Sequence, residues 1–301
     1  MDASVELVKH LLQSVVYIHA TVPREHPSTR ILGDERMGSG VIVDSSGLIL
    51  TVNYVVMGGQ SVDVTFQKGR RVKGEVVAQD YEVGLALVRV KRQGLPAVRL
   101  GSGDALERGD AVISLAAIGA QERRIAGGVV TYLGEFEAYW EYLLERGIVS
   151  SAPNPGFGGG GLFAMTGAMV GTLYLNLSEI ARNSLAIPVD FYRAHEQELL
   201  RYGRVVSRPR RAWLGVFAHA LEEGVVVAGV VPDGPGDRSG LQEGDLIVSV
   251  NAEEVATRRD LYLSLWRHEP GESLTLEVMR EKKVRRFEVK GGDRAYFFRP
   301  Q

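Results

Sequence analysis

The stretch from residue 154 to residue 162 reads Asn-Pro-Gly-Phe-Gly-Gly-Gly-Gly-Leu. Because glycine has no Cβ atom, it adopts backbone conformations that other residues avoid, at a cost of roughly 0.5–1 kcal/mol relative to alanine in regular structure. Taken alone, four consecutive glycines are typical of a flexible loop. A phosphate-binding loop is excluded, because no Gly-Lys-Ser/Thr follows. The segments that surround this stretch therefore decide its meaning.

The composition sets the outer limits. A length of 301 residues suits two domains, and 45% apolar with 24% charged residues is typical of a globular protein. A net charge of −2 gives no general attraction to nucleic acid, so no nucleic-acid partner is expected. The absence of cysteine excludes disulfides, thiolate nucleophiles and Cys-ligated zinc. We expect no metal or cofactor. No apolar run approaches the roughly 20 residues of a membrane span, so no transmembrane segment is expected.

Short apolar runs fill the first half of the chain and predict β-strands. Val41–Val43 and Leu48–Leu50 flank a turn at 44–47, which is a hairpin signal. Further runs lie at 15–18, 62–66, 72–77, 85–90, 111–115 and 129–133. Many short strands with glycine-rich turns and few helices predict a closed or sandwiched β architecture.

Five blocks between residues 14 and 192 resemble the HtrA (Deg) family of trypsin-like serine proteases. They are Gly-Ser-Gly-Val-Ile-Val-Asp from residue 38, Gly-Leu-Ile-Leu-Thr-Val-Asn-Tyr-Val-Val from 47, Asp-Tyr-Glu-Val-Gly-Leu-Ala-Leu-Val from 80, Leu-Gly-Ser-Gly-Asp from 100 and Ala-Ile-Pro from 186. The stretch at 154–162 resembles the family's nucleophile loop, Asn-Pro-Gly-Asn-Ser-Gly-Gly-Pro-Leu. The resemblance implies two six-stranded β-barrels with the active cleft between them.

The same block matching places three unusual residues at the catalytic positions. Tyr54 lies where the family has histidine, Gly84 where it has aspartate and Gly158 where it has the nucleophilic serine. A serine protease needs all three functional groups. No histidine lies between residues 27 and 194, and no lysine lies between Lys91 and Lys282. The sequence therefore predicts a pseudoprotease, not an enzyme. The alternative is a serine endopeptidase of residual or unconventional activity in protein quality control, whose cleavage would depend on Gly158 or Tyr54.

A remnant of the oxyanion loop is implied at Gly156, Phe157 and Gly158. Gly156 matches the family's oxyanion glycine, and Gly158 retains its N–H group. Because Phe157 and the glycine run alter the stiffness of the loop, we expect the oxyanion hole to be unformed or mobile. The sizes of Phe157 and Tyr54 further predict that their rings fill the emptied cleft.

Residues 213–290 resemble a PDZ domain of the HtrA kind. Trp213-Leu-Gly-Val matches its carboxylate-binding loop, and Gly-Pro-Gly-Asp-Arg-Ser-Gly-Leu-Gln-Glu-Gly-Asp-Leu-Ile-Val-Ser-Val-Asn from residue 234 matches its second motif. Backbone N–H groups of Leu214, Gly215 and Val216 would hold a C-terminal carboxylate while the ligand adds a strand. Leu261 and Leu265 are candidates for an apolar side-chain pocket. For these two leucines and for Trp213, ordinary core packing is the alternative interpretation.

Three other segments leave alternatives open. Only seven residues, Phe217 to Glu223, separate the carboxylate loop from the next strand, so the groove is expected to be abbreviated. The arginines between the domains form either an anion contact or a solvated linker and interdomain salt bridges; they are Arg204, Arg208, Arg210 and Arg211. The aromatic tail from Ala295 packs back onto a domain or occupies the groove of a neighbour.

The combined prediction is a mainly β protein with a trypsin-like double six-stranded β-barrel followed by an α+β PDZ domain. Its predicted parts are a protease-like domain at 1–200, a linker at 201–212, a PDZ domain at 213–293 and a tail at 294–301. The predicted role is that of a scaffold, adaptor or regulator that binds C-terminal or unfolded peptide segments of other proteins. The resemblance implies a homotrimer or a hetero-oligomer with an active relative, with the barrels as an assembly platform. The expected location is cytoplasmic if Met1 is the natural start, and periplasmic or extracytoplasmic if an export signal was removed.

Overall fold

The computed structural model describes residues 3–177 and 183–299. The first element is helix α1 (Ala3–Ser14), which agrees with the helical spacing of Leu7, Leu11 and Leu12. It leads directly into the first barrel, and Leu11 is buried in the barrel core. Among the helices of the described residues, none is long and apolar enough to cross a bilayer.

The first barrel is closed by six antiparallel strands in the order β1-β2-β3-β6-β5-β4. The strands are β1 (Val15–Thr21), β2 (Glu35–Asp44), β3 (Leu48–Val52), β4 (Ser61–Thr65), β5 (Arg71–Asp80) and β6 (Leu85–Val90). Two single-turn helices, α2 (Thr29–Leu32) and α3 (Asn53–Val56), lie in the connections. Closure pairs every strand on both edges, so no edge is left to aggregate. All five residues of β3 are buried.

The second barrel repeats this plan in the order β10-β11-β12-β9-β8-β7. Its strands are β7 (Ala111–Ala117), β8 (Arg123–Ala138), β9 (Tyr142–Ser150), β10 (Gly161–Ala164), β11 (Met169–Asn176) and β12 (Ser184–Pro188). The apolar run at 129–133 marks only the middle of β8. Strand β9 carries no clear signal in the sequence, because Glu145, Arg146 and Gly147 interrupt its apolar pattern; pairing with β8 and β12 holds it extended.

Helix α4 (Val189–Tyr202) follows the second barrel and ends at Gly203, which has a left-handed backbone. The third unit is a sheet in the order β13-β14-β15-β17-β18, with β16 paired to β15. Its elements are β13 (Val216–Leu221), β14 (Gly224–Val230), α5 (Pro235–Ser239), β15 (Leu246–Val250), β16 (Glu253–Glu254), α6 (Arg258–Trp266), β17 (Ser273–Arg280), β18 (Lys283–Lys290) and α7 (Arg294–Phe297). The predicted domain boundaries stay a prediction.

The arginines before the third unit form interdomain salt bridges, as one of the two interpretations predicts. Arg208 donates to both oxygens of Asp80, at 2.9 and 3.1 Å, and Asp80 is buried. Arg211 pairs with Glu82 at 3.5 Å, and Arg210 pairs with Asp293. Arg204 is exposed. The segment therefore fastens the third unit to the first barrel.

The aromatic tail packs back onto its own chain. Phe298 is buried in a small cluster with Trp213 and Met57. Its carbonyl oxygen lies 3.1 Å from the hydroxyl oxygen of Tyr81 and 3.2 Å from Nε2 of His26, both in the first barrel. This arrangement corresponds to the first of the two alternatives for the tail.

Candidate functional site

A buried carboxylate already occupies the loop that the sequence predicts to bind one. The side chain of Glu141 accepts hydrogen bonds from Leu214 N (3.0 Å), Gly215 N (2.6 Å) and Val216 N (2.9 Å). The N–H groups of Gly215 and Val216 both donate to Oε1, and that of Leu214 donates to Oε2. Glu141 is 0% exposed and lies at the tip of the β8–β9 hairpin. The three N–H groups thus form a working carboxylate cradle, and this chain supplies its occupant.

The hairpin tip also makes the backbone bond that an added strand would make. Ala218 N, on β13, donates to the carbonyl oxygen of Tyr139 at 2.6 Å. Across the groove, the hydroxyl of Tyr262 on α6 donates to Ala138 O (2.5 Å) and accepts from Glu141 N (3.2 Å). The segment 138–141 therefore lies between β13 and α6, where strand addition places a ligand.

Charged pairs hold the hairpin against the third unit. Arg258 and Arg259 on α6 pair at 2.9 Å with Glu137 and Glu135 on β8. Arg294 donates to the carbonyl oxygens of Trp140 (3.0 Å) and Glu141 (2.7 Å). Burial raises the pKa of the Glu141 carboxyl, while Arg294 and the three N–H groups act in the opposite direction.

The apolar residues predicted for the groove are all buried. Leu261 and Leu265 are 0% exposed and belong to the core cluster of the third unit, against which Leu143 of the hairpin packs. Trp213 packs on Phe297 and Phe298 of the tail, with ring centroids 5.0 and 5.6 Å apart. In this conformation the leucines and Trp213 act as core residues, and their role in ligand binding stays a prediction.

The structure brings the three triad positions together at Tyr174. The hydroxyl of Tyr54 donates to Tyr174 O at 2.9 Å, and the two rings lie 5.6 Å apart. A Cβ atom on Gly84, which has φ +87°, would lie 3.0 Å from the Tyr174 ring. A Cβ atom on Gly158 would lie 1.8 Å from the Tyr54 hydroxyl oxygen. Burial raises the pKa of Tyr54.

The glycine run is held by the backbone of neighbouring strands. Phe157 N donates to Ala117 O (2.9 Å), and Ser39 N donates to Gly158 O (2.7 Å). Gly156 N is taken by Asn154 Oδ1 at 3.2 Å, so this predicted oxyanion donor is engaged within its own loop. The half-buried ring of Phe157 packs against Tyr17, with centroids 5.9 Å apart. The role of these residues in an oxyanion hole stays a prediction.

A row of aromatic rings joins the triad positions to the hairpin tip. Tyr174 stacks on Tyr142 (5.4 Å between centroids), Tyr142 lies 6.0 Å from Trp140, and Trp140 meets Tyr139 edge-on at 5.0 Å. These rings line one side of a cavity of about 460 Å³ that reaches Phe217 of β13. Such a cavity suits apolar or aromatic side chains.

Sequence reasoning missed the residues that complete the site, above all Glu141. Arg146 and Gly147 interrupt the apolar pattern of β9, so the sequence does not predict the hairpin. Nothing in the local sequence pairs Glu141 with the loop at Leu214–Val216, more than 70 residues away. The one signal in the sequence is that Glu141 lies among three aromatic residues, Tyr139, Trp140 and Tyr142. Within the described residues, no group of three His, Cys, Asp or Glu side chains is placed to hold a metal ion.

Comparison with known proteins agrees with this architecture. Residues 38–171 match the trypsin-like peptidase domain, and residues 212–290 match the PDZ domain. A "Probable periplasmic serine endoprotease DegP-like" of Hahella chejuensis is 30% identical over 260 residues, covering 81% of this chain and 54% of the relative. Its counterpart in Ectopseudomonas mendocina is 28% identical over 286 residues, covering 89% and 58%. The chain thus spans about half the length of the curated relatives it matches.

Among solved structures, the "HtrA-type protease AlgW with tripeptide" is 26% identical, with a TM-score of 0.60, and the match covers 97% of this chain and 98% of that one. The same protease "with decapeptide" is 25% identical, with a TM-score of 0.58 and coverage of 97% and 99%. Both are peptide complexes by name. The predicted fold class is confirmed.

These relatives correct one expectation. The prediction that the chain is not an enzyme rested on Tyr54, Gly84 and Gly158 and on the lack of a replacement histidine or lysine nearby in the sequence. Its relatives are named as serine endoproteases, and the similarity to them extends over 81–90% of the chain. Taken at the level of the family, the prediction of a non-enzyme is therefore wrong, because three aligned positions are a narrower basis than similarity along the whole chain. The chain thus has a trypsin-like peptidase domain followed by a PDZ domain, and it is similar over most of its length to HtrA-type and DegP-like proteases.

Proposed function

We propose that this chain binds the C-terminal ends of other polypeptides in the groove between β13 and α6. The observation that carries the proposal is the convergence of Leu214 N, Gly215 N and Val216 N on one carboxylate, at 2.6–3.0 Å. Charge-assisted bonds of this kind are stronger than neutral ones. The bond from Ala218 N to Tyr139 O supports the same mode, because a backbone N–H group of β13 donates to a segment from another part of the chain.

The side-chain preference follows from the walls of the groove. Leu261 and Leu265 lie on α6, which faces the hairpin tip, and the adjoining cavity is lined by aromatic rings. A peptide that ends in an apolar residue buries its last side chain there, while a charged residue would lose its hydration without a partner. The partners proposed are therefore C-terminal or unfolded segments with apolar ends.

Fluorescence anisotropy on the full chain tests the proposal. Fluorescein-labelled decapeptides that end in Val, Leu or Phe are titrated with a free carboxylate and again as C-terminal amides. We expect saturable binding of the acids and no binding of the amides, because an amide loses the charge and places N–H groups against the cradle. Equal binding of acid and amide contradicts the proposal, as does a failure of every acid to bind both the wild type and a Glu141→Gln variant, in which the cradle is freed of its internal carboxylate.

The names of the relatives favour a second candidate, endopeptidase activity in protein quality control. Under this candidate the aromatic cavity beside Tyr54 and Gly158 receives an unfolded substrate. Incubation with an unfolded protein such as reduced α-lactalbumin, followed by mass spectrometry of the fragments, measures it. Cleavage that is lost in Tyr54→Phe or Gly158→Ala, in a variant that circular dichroism shows to be folded, supports the candidate. Cleavage that is unchanged in both variants assigns the activity to a contaminant.

Assembly and location complete the proposal. We place the protein in the extracytoplasmic space, since the curated relatives are named as periplasmic. We further propose a homotrimer, or a hetero-oligomer with an active relative, built through the barrels. Sedimentation equilibrium separates these states by mass, and a concentration-independent mass of 32.9 kDa would contradict both.

A further inference from the structure

We infer that Glu141 is an internal ligand of the PDZ groove, so that the β8–β9 hairpin competes with external C-termini for the cradle at Leu214–Val216. The inference rests on the proposed function and goes beyond it, because it assigns a regulatory contact to this chain. The peptidase domain supplies the competitor. An external carboxylate enters only when the hairpin tip leaves.

The contacts of the hairpin tip reproduce those of a bound C-terminus. Each oxygen of the Glu141 carboxylate is held by the N–H groups that a terminal carboxylate would use, and Tyr139 O takes the bond from Ala218 N. The two ligands would share the same donors and the same space. Simultaneous binding is therefore excluded by geometry.

The backbone at Glu141 indicates that capture of the carboxylate matters. Glu141 has φ +54°, a left-handed conformation that is unfavourable for a residue with a Cβ atom. A hairpin tip of this kind would ordinarily carry glycine or asparagine. Glutamate stands here although its backbone is strained, and its side chain is fully buried, which points to a role for the side chain.

The remaining contacts leave the closed state reversible, and the covalent tether keeps it populated. Arg258 and Arg259 of α6 pair with Glu137 and Glu135 on half-exposed or exposed surface, where ion pairs contribute little. An internal ligand on a short tether acts at an effective concentration on the order of millimolar. External peptides therefore bind the closed protein more weakly, in proportion to the fraction of molecules that is open.

The test compares Glu141→Gln with the wild-type full chain. Glutamine keeps the shape of the side chain but removes its charge and places an NH₂ group against the cradle. The matched control is Glu145→Gln, because Glu145 is exposed on the same hairpin and the change in charge is identical. We expect Glu141→Gln to raise the affinity for a free-carboxylate peptide at least about tenfold, with no rise in the control. Glu141→Ala is a second variant that removes the internal carboxylate from the cradle.

Amide hydrogen exchange without any peptide supplies an independent readout. We expect faster exchange at Leu214, Gly215 and Val216 in Glu141→Gln, with the core strands β15 and β17 unchanged, which also shows that the variant is folded. Unchanged exchange at the cradle overturns the inference. Unchanged peptide affinity in both Glu141 variants also overturns the inference. If those proteins still bind free-carboxylate peptides in preference to the amides, the proposed function is unaffected. If no variant binds any acid, the proposed function itself fails.

Discussion

The hydroxyl oxygen of Tyr54 occupies the space that any side chain at Gly158 would need. A Cβ atom on Gly158 would lie 1.8 Å from that oxygen and 3.2 Å from Tyr174 O. The two residues are far apart in sequence, yet the size of each limits the size of the other. A phenol fits here because residue 158 has no side chain, and its hydroxyl reaches Tyr174 O at 2.9 Å.

We predict that Gly158→Ala destabilises the fold by about 1–3 kcal/mol through overpacking against Tyr54. Tyr54→Phe removes the clashing oxygen and leaves Cζ at 3.0 Å, so the double variant should recover part of this loss. Urea unfolding of the wild type, both single variants and the double variant gives the coupling free energy. Strictly additive effects would show that the two residues do not compete for space.

Gly159 tests whether the glycine run is a flexible loop. Its φ is +94°, and a Cβ atom would lie 2.1 Å from Ser39 O, a backbone atom that cannot move aside. We expect Gly159→Ala to cost more than about 2 kcal/mol, since backbone strain and overpacking add. Gly119→Ala is the control, because no atom lies within 4 Å of its Cβ position, and it should stay within about 0.5 kcal/mol. Similar melting temperatures for the two variants would restore the flexible-loop interpretation.

The pair formed by Arg208 and Asp80 is expected to fasten the PDZ domain to the first barrel. Both side chains are largely buried, at 17% and 5% exposure, and the guanidinium bonds both carboxylate oxygens. Arg208→Ala should destabilise the protein by about 1.5–3 kcal/mol, the usual contribution of a charged hydrogen bond. Arg204→Ala, in the same segment but exposed, should change little. Equal effects in thermal unfolding would contradict the assignment of Arg208 as the interdomain fastener.

Acid should reduce the stability that the buried ring of His26 contributes to the fold. Burial lowers the pKa of His26 below its usual 6.5, and the cation of Arg36 acts in the same direction. The folded state therefore favours the neutral ring, so its stabilising effect is present above pH 6.5 and is lost as pH falls from there towards the lower folded pKa. The unfolding free energy of the wild type minus that of His26→Asn should shrink over this range.

The control for that experiment is His219→Asn, since His219 is exposed on β13. If the unfolding free energy of the wild type minus that of His26→Asn stays constant or grows on acidification, the ring is not held in its neutral form.

The strands of the first barrel, β7 and the middle of β8, and the PDZ motifs could be predicted from the sequence, because those features depend on local patterns. Alternating apolar residues at 62–66, the turn at 44–47 and the motif from Gly234 each carry their signal within a few residues. The loop Trp213–Val216 was likewise recognisable, because a carboxylate cradle is made of consecutive backbone N–H groups. Strand β9 escaped prediction, because its conformation comes from pairing with β8 and β12 and not from its own residues.

The sequence by itself determined that the chain has a peptidase-like double barrel, a PDZ domain and a tyrosine and two glycines at the triad positions. Only the tertiary structure decided what those residues meet. Glu141 and the cradle lie 73–75 residues apart, and Tyr54 and Tyr174 lie 120 apart. Contacts over such separations depend on how the barrels and the third unit pack, because a side chain carries no local mark of the distant backbone that it will meet.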